Sequence, residues 1–400
     1  MKKVHSGLLI LAIILAALNL RPAINSISPI MDILQANLGM NALVVSLLTS
    51  LPVLCMGMFS PLAAKLGIKW GMEKVIMYSI ILIGVGTFLR LFAGSSIFLL
   101  LTAFLAGVGI ATASPLLSGF IKKYFAHKVS AIISVYTVAM AIGAALGSGL
   151  TVPLMDLSST NSWQWALSFW FVFAGIALIL WVYLVLRIKP ASSTNASLEQ
   201  NSRLPWTNGR AWLLTGFFGL MAAIFYSCTA WLAPAVQEMG YSKAYSGTVL
   251  SIFMLVQIPA NILIPMIAQK YSKHVSCLLF CAALEVVGLL LIIFSVGNPM
   301  IAAIFIGLGA GGLFPLALML PIVETSNANE ASTWSAMTQS VGYVIGSCGP
   351  LLLGWVLQLT GSFKIQFIVL LVICCVMMVF HVAIGINNSS KAKKALEAIS

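Results

Sequence analysis

The sequence predicts an all-α integral membrane protein: twelve transmembrane helices in two six-helix, pseudo-symmetric halves. Three observations carry the expectation. The 400 residues are 60% apolar and only 8% charged, with a mean hydropathy of +1.06, whereas globular chains carry about 25% charge. Twelve apolar runs are each long enough to cross a hydrocarbon core of about 30 Å. The basic residues fall almost entirely on one side of those runs.

The first run, 7–31, follows Met1-Lys2-Lys3-Val4-His5, which resembles the start of a signal peptide. No cleavage site interrupts it, and it continues past Arg21-Pro22 toward Ile30, so it reads as a retained first span. Runs at 43–64, 75–93, 97–120, 129–154 and 164–186 complete the first half. A polar stretch from Arg187 to Arg210 follows, and its segment Ala191-Ser192-Ser193-Thr194-Asn195-Ala196-Ser197 has the composition of a flexible linker. Runs at 211–237, 246–268, 275–296, 299–322, 331–357 and 365–386 form the second half. The expected division is therefore 1–190, a linker at 191–210, and 211–400. Backbone groups in lipid must be satisfied internally, and the alternating short strands of a barrel are not in this sequence, so the spans are helices.

Charge gives the orientation. Of 21 Lys and Arg residues, Lys243 and Lys364 fall on one side and Arg21 and Arg90 lie within spans. All the others share the side of the N-terminus, which the positive-inside bias makes cytoplasmic. Both termini and the linker are expected there. The loop 323–330 departs from the pattern, with Glu324, Glu330 and no base. The net charge of +12 is spread over short loops, not one face, so nucleic acid is not an expected partner. The seven cysteines lie inside apolar runs without a CxxC pair, which points to small buried hydrophobes and to no metal. His5, His127, His274 and His381 stand near span ends and read as loop or interface residues. No catalytic motif is present and the loops are short, so neither an enzyme nor a cofactor is expected.

The halves repeat. A shift of 200 lays Gly107-Val108-Gly109 on Gly307-Leu308-Gly309 and Pro115-Leu116 on Pro315-Leu316. Shifts of 203, 204 and 205 lay Ile142-Gly143 on Ile345-Gly346, Pro61 on Pro265, and Pro29 on Pro234. Span order is kept throughout, as in a parallel repeat.

Two such halves resemble the plan of the major facilitator superfamily. Asn19-Leu20-Arg21-Pro22-Ala23, Ser114-Pro115 with Lys122-Lys123-Tyr124-Phe125, Phe314-Pro315-Leu316-Ala317-Leu318, and Met337-Thr338-Gln339-Ser340-Val341-Gly342 narrow the resemblance to its cyanate and nitroimidazole transporter family. It covers essentially the whole chain. The segment Gly67-Ile68-Lys69-Trp70-Gly71-Met72-Glu73-Lys74 departs from the superfamily pattern by lacking the usual Asp-Arg pair. The resemblance implies alternating access around a site near the midplane between the halves, with a cyanate-like or nitroimidazole-like substrate.

Arg21 is the sharpest candidate. It lies fourteen residues after Gly7, about 21 Å along a helix, and an arginine at that depth is a substrate contact, or else it snorkels or pairs with a structural carboxylate. Asn25 and Ser28 continue its stripe, and Pro22 removes a backbone donor that would close the helix. Every carboxylate but Glu285 lies at a span end or in a loop, and Glu285 is on a helix not expected to touch span one, which leaves Arg21 without an obvious counter-ion except a substrate anion. Tyr226 is the register partner of Arg21. With Gln339, Tyr343, Gln257, Tyr136 and Trp231 it completes the candidate substrate set, each residue reading equally as an interhelical contact. Glu285 sits deep in span nine, either for proton coupling or as a structural carboxylate bonded to a neighbouring helix. Arg90, five residues before Ser95-Ser96, is expected to snorkel to the interface. Gly143 and Gly147 form a small-residue packing step, expected where the halves meet. Pro115 and Pro315 are kinks or hinges.

The reading is a secondary transporter of the cytoplasmic membrane, monomeric, with lipid around it, a small-molecule substrate and protons as the candidate coupling ion. A proton-coupled multidrug exporter is the rival, and it predicts a cavity carboxylate. A non-transporting sensor is a further alternative.

Overall fold

Polar caps start the helices. Asn41 Oδ1 accepts from the Val44 N–H at 2.8 Å, and Asn208, Ser242 and Asn298 cap their own helices the same way. These contacts satisfy donors that the first turn leaves unmatched. The computed structural model describes residues 5–125, 129–158, 162–187, 204–271, 274–325 and 328–397. His127, most of the linker (191–203), and the charges at Lys2, Lys3, Lys128, Lys189, Arg203 and Lys273 lie outside these residues.

Twelve helical segments have the length and apolarity to cross a membrane. Spans one to six are Ser6–Leu38, Ala42–Ala63, Met72–Phe92, Ser96–Ile121, Val135–Asp156 and Trp163–Arg187. Spans seven to twelve are Gly209–Glu238, Lys243–Ala268, His274–Ile293, Pro299–Pro321, Trp334–Thr360 and Phe363–Gly385.

Span one is longer than its apolar run and is built in pieces: Ser6–Asn19, Pro22–Asn25, a 3-10 turn at Ser28–Ile30, and Met31–Leu38. Pro22 has no N–H, so the Leu18 carbonyl loses its helical donor and the helix stops at Asn19, two residues before Arg21. Span eight breaks at Val256, three residues before Pro259, for the same reason.

The contacts repeat between halves. Span one packs on five and six, two on four, and three on four and six. Correspondingly, seven packs on eleven and twelve, eight on ten, and nine on ten and twelve. A Cβ on Gly109 would sit 2.7 Å from the Ser79 carbonyl, and one on Gly309 2.5 Å from the Cys281 carbonyl. The matched pair shows the same close approach of backbones, which only small residues permit.

The halves meet along spans two and eleven and along spans five and eight. Ser28 Oγ donates to the Ala230 carbonyl at 2.7 Å and Gln237 Nε2 to the Pro29 carbonyl at 2.9 Å. Ser148 and Ser251 hydroxyls are 3.1 Å apart, and Lys243 pairs with Asp32 at 2.7 Å. These bonds lie on the side away from Lys69, Lys74, Lys123, Arg187, Arg210 and Lys270, and they close that side. Gly143 and Gly147 do not stand between the halves. A Cβ there would lie 2.5 Å from the Leu18 carbonyl and 2.9 Å from Pro22 Cα, so the step packs span five on span one. Gly149, which faces Ser251, and Ser148 make the contact across.

The acidic loop after span ten finds its base elsewhere. Glu324 pairs with Arg210 at the start of span seven. In the first half, Glu73 accepts from Lys123 Nζ at 2.7 Å and from the Tyr124 hydroxyl at 2.6 Å. Burial, and next that carboxylate, push the Tyr124 phenol above its ordinary range.

Candidate functional site

A cavity of about 230 Å³ lies between the halves, lined by spans one, five, seven, eight, ten and eleven. Its walls run from the level of Arg21 toward the basic side: Thr137 and Met140 on span five, Asn261 and Ile262 on span eight, Leu318 on span ten. Spans two and eleven also meet on the basic half, where Ser340 Oγ donates to the Gly57 carbonyl at 2.6 Å, so the cavity reaches toward the basic side between spans five, eight and ten.

The break in span one delivers Arg21 to this cavity. Its Nη1 donates to the Tyr226 hydroxyl across the halves at 3.2 Å. Its guanidinium carbon stands 5.7 Å from the Phe225 ring centre and 5.8 Å from that of Tyr226, within the range of cation–π attraction. Tyr343 meets Tyr226 edge-on at 6.4 Å. Among the described residues no salt bridge involves Arg21, and no Asp or Glu lines the cavity. Gln257 lines it while donating Nε2 to the Phe253 carbonyl at 2.9 Å, and Asn261 stands one turn further. What converges is one fixed positive fork, aromatic faces and two amides: a site for a small ligand with an anionic or polar edge and a flat body.

The structure thus brings Arg21, Tyr226, Tyr343, Gln257 and Pro315 to one cavity. The remaining candidates are outside its lining. Asn25 is buried against Gly147, its Nδ2 without a partner among the described residues. Tyr136 is buried just behind the lining residue Thr137, within electrostatic reach of Arg21, Tyr226 and Tyr343, and shares a 3.0 Å hydrogen bond with Ser114. Trp231 is buried in the second half, its Nε1 on the Pro350 carbonyl at 3.1 Å. Gln339 is exposed one turn from Tyr343, outside the lining. Pro115 lies within an unbroken helix, Ser96–Tyr124. Sequence reasoning passed over Phe225, Phe314, Met140, Met221 and Met254, all in the lining. Nothing in an apolar run separates a cavity-facing Phe or Met from a lipid-facing one.

Two expectations are corrected. Arg90 does not snorkel: it is 0% exposed, and its Nη2 donates to the Ala23 carbonyl at 2.9 Å. His381 is not a loop or interface residue. It is fully buried in span twelve, edge-on to Phe217 at 4.7 Å.

Glu285 is 1% exposed and faces spans ten and twelve, not the cavity. Cys374 Sγ donates to its Oε2 at 3.7 Å. Glu285→Gln is expected to keep substrate transport and its pH dependence, because the amide preserves the hydrogen bond without a titrating proton. Uptake into proteoliposomes at several pH values checks this, and transport that ceased to respond to a proton gradient would assign Glu285 to coupling instead.

Twelve spans in matched halves around a central, one-sided cavity define a membrane transporter of the two-bundle class. The chain belongs to the Major Facilitator Superfamily, whose sequence model matches residues 9–347. It is 32% identical to an uncharacterised transporter, YycB, of Bacillus subtilis over 94% of this chain and 93% of the relative. It is 29% identical to the 2-nitroimidazole transporter of Escherichia coli over 94% and 95% of the two chains, and 29% identical to the cyanate transport protein CynX of the same organism over 90% and 92%. In fold it is similar to the nucleoside transporter NupG, with a TM-score of 0.78 at 12% identity, covering 94% of this chain and 99% of that one.

Proposed function

We propose that this protein is a secondary transporter that moves a small anion or small polar heterocycle, cyanate-like or nitroimidazole-like, across the cytoplasmic membrane, with Arg21 as the substrate-binding group. The observation that carries the reading is a guanidinium at mid-membrane, open to the cavity and bonded to Tyr226 of the other half, with no carboxylate pair among the described residues. A buried arginine calls for a counter-charge, and a substrate anion supplies it. The cavity holds only a small ligand, and Phe225, Tyr226, Phe314 and Tyr343 offer it flat faces. The names of the nitroimidazole and cyanate relatives fit both descriptions.

In this reading 1–190 and 211–400 are the rocking halves, 191–210 links them, and both termini are cytoplasmic. The cavity then faces the cytoplasm, and substrate that touches Arg21 and Tyr226 together draws the halves in. A proton-coupled multidrug exporter calls for a carboxylate in the cavity, and the described lining has none. Thermal shift of the purified protein with cyanate, nitrate, small carboxylates and nitroimidazoles tests the proposal. At least one of these ligands is expected to raise the melting temperature in a saturable way. A panel without any shift, alongside stabilisation by bulky hydrophobic cations, would favour the exporter.

A further inference from the structure

Arg90 is the buried charge that the transport site leaves unexplained. It lies in the 3-10 turn Leu89–Phe92 that ends span three, 0% exposed, and no salt bridge among the described residues involves it. Its Nη2 donates to the Ala23 carbonyl at 2.9 Å, while its Nε and Nη1 find no partner among the described residues. A guanidinium is costly at such a position, so its contact is informative.

Ala23 is the second residue of the isolated helix Pro22–Asn25. In a continuous helix its carbonyl would accept from the Ile27 N–H. Here that N–H turns to the Ile24 carbonyl at 3.4 Å, and Arg90 meets the acceptor left over. On another side of the same segment, Gly147 admits Pro22 so closely that a Cβ would stand 2.9 Å from Pro22 Cα. Further back, Asn19 Nδ2 reaches the Phe173 carbonyl of span six at 3.2 Å. The broken piece of span one is thus tied to spans three, five and six of its own half, and Arg21 is the residue immediately before it.

We infer that Arg90 is a positioning residue: it fixes the break in span one and so aims Arg21 into the cavity, which makes the Arg21 side chain move as part of the first half. This rests on the proposed role of Arg21 in binding. Arg90 itself touches no substrate, and its effect reaches the ligand only through the pose of residues 21–25.

Two readouts test it in the full-length protein. The first is independent of any ligand. In a cysteine-free background, spin labels at Arg21→Cys and at Ile179→Cys, 75% exposed on span six, report a distance within one half. Electron–electron resonance is expected to give a single narrow distribution with Arg90 present and a clearly broadened or divided one with Arg90→Met. The second readout is the Kd for sodium cyanate and sodium nitrate, with the native Arg21 in place. Arg90→Met is expected to raise it about tenfold, the scale of one charge-assisted hydrogen bond. Arg90→Lys is expected to fall between, because an ammonium offers a donor but a shorter reach. In an Arg21→Gln background, Arg90→Met is expected to add nothing to the loss. A merely structural arginine would lower the melting temperature with no such dependence on Arg21.

A narrow distribution and an unchanged Kd in Arg90→Met overturn the inference. Where Arg90→Met is not monodisperse, the same result in Arg90→Lys overturns it. A broadened distribution with an unchanged Kd also overturns it, since the pose would then not matter to binding. If the native protein binds neither anion, the anion-binding role of Arg21 falls, and the distance distribution alone decides whether Arg90 holds the break.

Discussion

Arg21→Gln protein is expected to insert and fold, and to bind an anionic substrate at least about a hundredfold more weakly. A buried charge pair deprived of one partner loses roughly 3 kcal/mol or more. The fold is expected to survive because Arg21 pairs with no carboxylate among the described residues, so the substitution strands no opposite charge. Its bond to the Tyr226 hydroxyl at 3.2 Å is one that glutamine can replace. Arg21→Lys is expected to recover little, since an ammonium is a point charge and does not present the planar fork that grips an anion from two directions. Kd and uptake in proteoliposomes, with monodispersity checked in parallel, give the measurement. A folded Arg21→Gln protein with native affinity would remove Arg21 from the site. A variant that failed to fold would make the arginine structural.

Locking the closed side is expected to stop transport almost completely. The Ser148 and Ser251 hydroxyls lie 3.1 Å apart across the halves, close enough for cysteines at both positions to reach bonding geometry with small rotamer changes. The seven native cysteines are free thiols and are first replaced. Oxidation of Ser148→Cys/Ser251→Cys then ties span five to span eight where the halves must part for the cavity to open on that side. Uptake is expected to fall to background and to return with dithiothreitol, because the bond is the only obstacle. Crosslinked protein that transports at the reduced rate would show that these spans do not separate during the cycle, and would overturn alternating access about this contact.

Much of the architecture was legible in the residues. Hydropathy places the spans, because a bilayer leaves the backbone no alternative to a helix. The offsets near 200 exposed the repeat, and the contact map repeats it span for span. Arg21 stood out through its depth, and Tyr226 through its register. Asn25 and Gln339 share helical faces with known candidates by spacing, yet neither lines the cavity. Pro22 interrupts span one, which disrupts the phase on which the spacing argument for Asn25 depends. Gln339 lies on the correct helix, one turn from Tyr343, but is exposed outside the lining.

What the sequence by itself determined was everything set by local composition: the helices, their number, the two halves, and the burial of an arginine beside a helix-breaking proline. Only the tertiary structure decided which neighbour each polar group meets. Arg90 is five residues from a polar turn, and along the chain that distance reads as an escape to the interface. In the fold, span three ends against the broken segment of span one, and the nearest unmatched acceptor is the Ala23 carbonyl, which becomes available only because the helix is interrupted. Gly143 and Gly147 carry the same lesson. A small-residue step announces a close approach without naming its partner, and only the packing makes that partner the backbone of span one at Leu18 and Pro22. In a medium without water, each unmatched donor or acceptor is driven to the nearest group of opposite kind, and which group is nearest is a property of packing in three dimensions.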